Sequence, residues 1–138
     1  SGILVSSILY CKDSEGHKFL VIDAAMNDLI RPALYDATHQ LITVRDLSGS
    51  PKELFDVVGP VCESGDTFQR EVRLPPLETG DLVALSSAGA YGAVMASEYN
   101  TRPLIPEVLV SDKKFAIIRG RPPISEIIMR DKIPVWLT

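Results

Sequence analysis

Short apolar runs, each closed by turn residues, set the limits on what this chain can fold into. Ile3 to Tyr10, Lys18 to Ala24, His39 to Arg45, Phe55 to Val58, Leu82 to Ser86, Glu107 to Ser111 and Lys114 to Arg119 each read as a strand. Gly, Pro, Asp, Asn and Ser punctuate the stretches between them. Asp13-Ser14-Glu15-Gly16 reads as the turn of a first hairpin, and Asp112-Lys113 as the turn of a last one. Helical signals are short: Pro32 opening a turn or so before Tyr35, a segment from Ala90 to about Asn100, and Ile124, Ile127 and Ile128 at helical spacing. Strands and helices do not alternate in the way that builds a parallel sheet. The pattern predicts a mainly β fold, an antiparallel barrel or sandwich with two or three short helices. Thr67 to Pro76 is charged, ends in two prolines, and reads as an exposed connection; Ile133 to Leu137 reads as an extended end.

Composition narrows the function classes. The chain has 138 residues, enough for one domain with its own core. Fourteen basic residues stand against 18 acidic ones. That balance lacks the basic stripe of a nucleic-acid footprint. No apolar run is long enough to cross a membrane, and no signal-peptide pattern is present. Cys11 and Cys62 are far apart, which favours free thiols in a reduced, cytoplasmic setting over a disulfide. The chain opens at Ser1 without a methionine, as a piece of a longer protein would. There is no glycine-rich phosphate loop, no metal-ligand cluster and no Ser/His/Asp set. His17, in a turn, and His39, at a strand start, read as solvated.

The densest chemistry lies in Gly59-Pro60-Val61-Cys62-Glu63-Ser64-Gly65-Asp66. A strand feeds into it, Gly59-Pro60 breaks the pattern, and Gly65 permits a tight turn. A thiol, a hydroxyl and two carboxylates share this bend. On composition alone a solvated turn with a small cysteine explains it. A second cluster is Leu29-Ile30-Arg31-Pro32-Ala33-Leu34-Tyr35. Pro32 favours the first helical position and pushes Arg31 towards an extended conformation. Tyr35 follows about one turn later, so both polar tips could face one space. In Ser87 to Ser97, with Gly89-Ala90-Tyr91-Gly92 at its centre, small residues predominate, and something must approach that backbone closely.

Four segments, in their order and spacing, resemble one family. They are Val21 to Tyr35, Gly59 to Asp66, Gly89-Ala90-Tyr91-Gly92 and Tyr99-Asn100-Thr101-Arg102-Pro103. Together they resemble the C-terminal β-domain of the bacterial diaminopimelate decarboxylase family, within the fold-type III enzymes that use pyridoxal phosphate. The resemblance runs from about Gly2 to Leu137. It implies a β-domain of the alanine racemase C-terminal type that follows a (β/α)8 barrel. It also implies a cytoplasmic homodimer whose active sites are shared between subunits, acting on meso-diaminopimelate to release L-lysine and CO2. Carried over by motif, Arg31 and Tyr35 would hold the distal carboxylate of the substrate. Glu63 would bind the distal ammonium and Cys62 would supply a proton, both in the partner's site. Tyr91 would touch the cofactor phosphate or the substrate, and Asp66 matches an interface acid of related decarboxylases. The barrel is absent from this chain, and Lys12, Lys18, Lys52, Lys113, Lys114 and Lys132 do not match the family's cofactor lysine. The domain alone is therefore expected to be inactive and to carry an exposed strand edge. A related pyridoxal-phosphate decarboxylase or racemase, or a non-catalytic β-module that binds a partner, are the other readings.

Overall fold

A computed structural model describes residues 2–137. The chain divides into two compact bodies, residues 1–96 and 97–138. The first holds six strands: β1 Leu4–Ser14, β2 His17–Ile22, β3 Leu41–Thr43, β4 Glu53–Val58, β5 Thr67–Leu74 and β6 Leu82–Leu85. They hydrogen-bond in the order β3-β6-β1-β2-β4-β5 as one curled, half-barrel sheet. All pairs are antiparallel except β2 with β4, where Phe19 lies beside Asp56 in parallel register. The connection between those two carries helix α1, Arg31–Tyr35, and strand β3.

Strand β1 produces much of the curl. Its first half, Leu4 to Ser7, pairs with β6, and from Ile8 onward it pairs with β2. The change comes at a register shift between Ile8 and Tyr10, and an extra residue there bends and twists a strand. Leu4, Ser6 and Ile8 point inward while Val5 and Leu9 are exposed. The first half of the strand therefore alternates between the two faces. Ser6 is buried, and it is satisfied: its hydroxyl donates to Asp23 Oδ1 at 2.5 Å and accepts from the Ala24 amide at 2.9 Å. Around it Ile8, Leu20, Ile22, Leu29, Val57, Val83 and Leu85 are almost wholly enclosed. Each such aliphatic side chain contributes about 1.5 to 3 kcal/mol by leaving water.

The second body holds a hairpin, β7 Glu107–Ser111 with β8 Lys114–Arg119, and a five-residue helix, α2 Ile124–Ile128. Ser111 pairs with Lys114 across Asp112, which takes the left-handed conformation that a tight turn needs. Arg130 makes a two-pronged ion pair with Glu98, and Arg119 reaches Glu107 at 2.7 Å.

Several sequence expectations give way here. Thr67 to Pro76 is mostly strand β5, not a loop. Phe68 and Leu74 are buried, but two register shifts against β4 break the period of two that would have revealed it. Glu71 sits in the left-handed region, and its amide is satisfied by Asp56 Oδ1 at 2.8 Å. The segment from Ala90 to Asn100 forms no α-helix. Residues 93–95 and 99–101 form single 3₁₀ turns, separated by extended Ala96 and interrupted by Asn100 at φ 61°. Val135–Leu137 is likewise a 3₁₀ turn instead of an extended end. His39 is buried, not solvated, with Nδ1 2.9 Å from the Ser86 carbonyl.

Candidate functional site

Helix α1 is too short to persist through its own hydrogen bonds, so its surroundings hold it. Before it, Asp28 Oδ2 accepts the Ala25 amide at 2.9 Å, and Asn27 Nδ2 donates to Asp28 Oδ1 at 3.1 Å. Asn27, Asp28 and Leu29 are all buried. This satisfied polar knot fixes where the helix begins. Arg31 is itself the first helical residue, with Ile30 already in the right-handed region and Leu34 N–H bonded to the Ile30 carbonyl. The extended conformation expected ahead of Pro32 is therefore overridden. Asp36 closes the helix at φ 52°, and Ala37 N–H returns to the Arg31 carbonyl at 3.3 Å, a Schellman-like end. Arg31 and Tyr35 are four residues apart on this helix, and the guanidinium lies 5.7 Å from the ring centroid. A stacked cation keeps its planar fork open to a carboxylate. Tyr35 is 59% exposed.

The turn after β4 is wound just as tightly. Gly59 N–H bonds to the Asp66 carbonyl at 2.9 Å, and Asp66 N–H to the Glu63 carbonyl at 3.0 Å. Cys62 and Glu63 ride on its outer edge, exposed. Glu63 Oε1 accepts the Ser64 hydroxyl at 3.2 Å and faces the Gly65 amide at 3.4 Å. Those long contacts leave the carboxylate available to a stronger partner. Gly65 lies beside the Met26 and Ala33 side chains, so this turn rests on the helix that presents Arg31.

Tyr91 stands apart on the small-residue loop. Its φ is 59°, and 70% of the residue is exposed. The close approach that the small residues imply is real: a Cβ at Gly2 would lie 2.9 Å from Gly89 Cα, and one at Gly92 would strike the Ala88 carbonyl. Nothing larger than glycine fits, and the tyrosine between them is pushed outward. Asp66, which the resemblance matches to an interface acid, is 3% exposed and binds two amides of its own chain. Its Oδ1 accepts the Met26 amide at 2.7 Å and its Oδ2 the Val61 amide at 2.8 Å. The roles of Asn27 and Asp28 were not read from the sequence. Their only signal is two amide-binding side chains just before a helix, as in many caps.

A cleft of about 460 Å³ lies between α1 and β5, lined by Pro32, Ala33, Asp36, Gly65 and Gln69 among others. Arg31, Tyr35, Cys62, Glu63 and Tyr91 are not among its walls. Tyr35, Cys62, Glu63 and Tyr91 are exposed, and Arg31 is half-buried.

Residues 1–89 match the family of the pyridoxal-dependent decarboxylase C-terminal sheet domain, and the chain belongs to that family. Within it, the chain is similar to diaminopimelate decarboxylases. The Zymomonas mobilis enzyme is 47% identical over 138 residues, which is 99% of this chain and 32% of that protein. The crystal structure of the Helicobacter pylori diaminopimelate decarboxylase complexed with L-lysine superposes with a TM-score of 0.85 at 41% identity, covering 93% of this chain and 31% of that one. The M. jannaschii diaminopimelate decarboxylase in co-complex with L-lysine gives a TM-score of 0.92 at 37% identity, over 99% of this chain and 31% of its own. The chain thus spans about a third of the length of the relatives it matches.

Proposed function

We propose that this chain is the C-terminal β-domain of a diaminopimelate decarboxylase, which converts meso-diaminopimelate to L-lysine and CO2 in lysine biosynthesis. The observation that carries the reading is the Arg31–Tyr35 pair, a half-buried guanidinium stacked on an exposed ring on a helix whose start is locked, in a chain 47% identical to such an enzyme. Decarboxylation removes the carboxylate at the reacting carbon and keeps the distal one, and a planar guanidinium is the side chain suited to bind that distal carboxylate through two hydrogen bonds. Tyr35 adds a hydroxyl beside it. Glu63 meets the distal ammonium. Cys62 delivers its Sγ proton to the carbon that has lost CO2.

Pyridoxal phosphate, when bound, withdraws the electron pair left by decarboxylation. This chain's donors suit a supporting part in holding it. The Tyr91 hydroxyl, on an exposed loop, can reach a phosphate oxygen or the substrate. Lys18 is tied to Glu53 at 2.6 Å, and none of the six lysines matches the family's cofactor-lysine motif. The attachment lysine is assigned to a (β/α)8 barrel outside this sequence. We place the enzyme in the cytoplasm as a homodimer. Arg31 and Tyr35 complete one site while Cys62 and Glu63 reach into the partner's.

The test is Arg31→Ala in the full-length enzyme. Stranding the carboxylate of a closed ion pair costs about 3 to 5 kcal/mol. At about 1.4 kcal/mol per decade, kcat/KM for diaminopimelate is expected to fall by roughly two to four powers of ten. Affinity for the diamine cadaverine, which lacks the distal carboxylate that L-lysine retains, should change far less. Equal losses for both would show that Arg31 supports the fold or the dimer and does not read the substrate.

A further inference from the structure

We propose that Asp66 is a positioning residue that locks the two halves of the functional surface to each other. The segment from Ala24 to Tyr35 and the turn from Gly59 to Asp66 are separate in sequence and carry different groups. One carboxylate joins them. Its Oδ1 takes the Met26 amide, 40 residues away, at 2.7 Å, and its Oδ2 takes the Val61 amide at 2.8 Å. Asp66 is only 3% exposed, so these charge-assisted bonds form away from water, where they hold geometry best. The main chain at Asp66 is pinned too, through its carbonyl to Gly59 and its amide to Glu63. Gly59 is required for this arrangement, since a Cβ there would collide with the Asp66 carboxylate.

On one arm the clasp ends at Met26, five residues before Arg31. On the other it ends at Val61, one residue before Cys62. Under the reading proposed above, on which this step rests, Arg31 serves one active site and Cys62 and Glu63 serve the partner's. Asp66 then sets the spacing between groups that work in two different sites of the dimer. A shift of about 1 Å in such groups is enough to cost about a hundredfold in rate.

The experiment is Asp66→Asn in the full-length protein, read in two ways. The amide keeps the shape but offers one acceptor oxygen, and turns an N–H group towards the second donor. Amide hydrogen exchange at Met26 and Val61 is expected to speed up at least tenfold (an order of magnitude, as local opening does), with the β1 and β2 amides unchanged. In the same samples kcat should fall by about ten- to a hundredfold per folded site. Gly59→Ala, which presses on the carboxylate from the other side, should reproduce both effects and serves if Asp66→Asn does not fold. Unchanged exchange at Met26 and Val61 would overturn the clasp whatever the activity does. Faster exchange with kcat and KM intact would show a clasp that positions nothing of catalytic use, and would overturn the proposal at its second step. A wild-type protein with no decarboxylase activity would instead sink the functional reading and leave exchange to decide whether the clasp exists.

Discussion

Residues 1–96 and residues 97–137 are built from the same kind of material and use it in opposite ways. Both contain apolar strands in antiparallel pairs, β1 with β2 and β7 with β8, each with one register shift. In the first body seventeen apolar residues are buried, from Leu4 to Ala88. In the second, none of the described residues is. Its hairpin leaves Val110 at 67%, Phe115 at 78% and Ile117 at 67% exposure, residues that β1 or β2 would have turned inward. Turn chemistry and pairing are enough to shape a hairpin. A core needs a second layer or a curl that folds the sheet over itself, and a lone two-stranded ribbon has neither.

The largest effect that tests this contrast is a pair of matched truncations in the 138-residue chain. Ile8→Ala empties a site in the packed curl and should cost about 2 to 5 kcal/mol in urea unfolding. Ile117→Ala removes a similar side chain from an open face and should cost less than about 0.5 kcal/mol. Comparable losses would mean that the hairpin is packed after all, and the contrast would fail.

A smaller effect sharpens the same point. The open apolar face should bind a hydrophobic dye such as ANS in the native chain. Replacing Val110, Phe115 and Ile117 with Thr should remove most of that fluorescence while leaving the unfolding midpoint of the first body in place. Persistent dye binding would trace the signal to the first body instead.

The smallest effect lies in the first body alone. The Glu78 amide, 2.9 Å from Asp81 Oδ2, holds the Asp81 carboxyl below its usual range against a modest opposing effect of burial, and Arg45 at 2.8 Å adds to the lowering. A carboxylate whose folded pKa is depressed stabilises the fold above its unfolded value, about 3.9, and that contribution fades as pH falls through the folded value. Asp81→Asn should therefore lower the thermal midpoint slightly at pH 7 and make no difference in strong acid. A deficit that persists at low pH would assign Asp81 a packing role.

What the sequence determined by itself was local. The β7–β8 hairpin follows its Asp112-Lys113 turn to the residue, and β2, β4 and β6 end within a residue or two of where their turn signals place them. The β-rich class, five of the curl's six short strands and the family resemblance all follow from near-neighbour pattern. Tertiary structure decided whatever depends on two distant segments agreeing. Strand β5 was hidden because its bulges against β4 scramble alternation, and a bulge is a property of the pair. Arg31 entered the helix because the buried Asn27–Asp28 knot and the Ile30–Leu34 bond outweigh the steric preference that Pro32 imposes. His39 went inside because the Ser86 carbonyl was there to receive it. Asp66 could be seen from the sequence as one acid in a crowded turn. That it binds an amide 40 residues away is settled only when β2 and β4 lie side by side, because hydrogen bonds of about 2.8 Å act at contact and a linear pattern carries no record of contact.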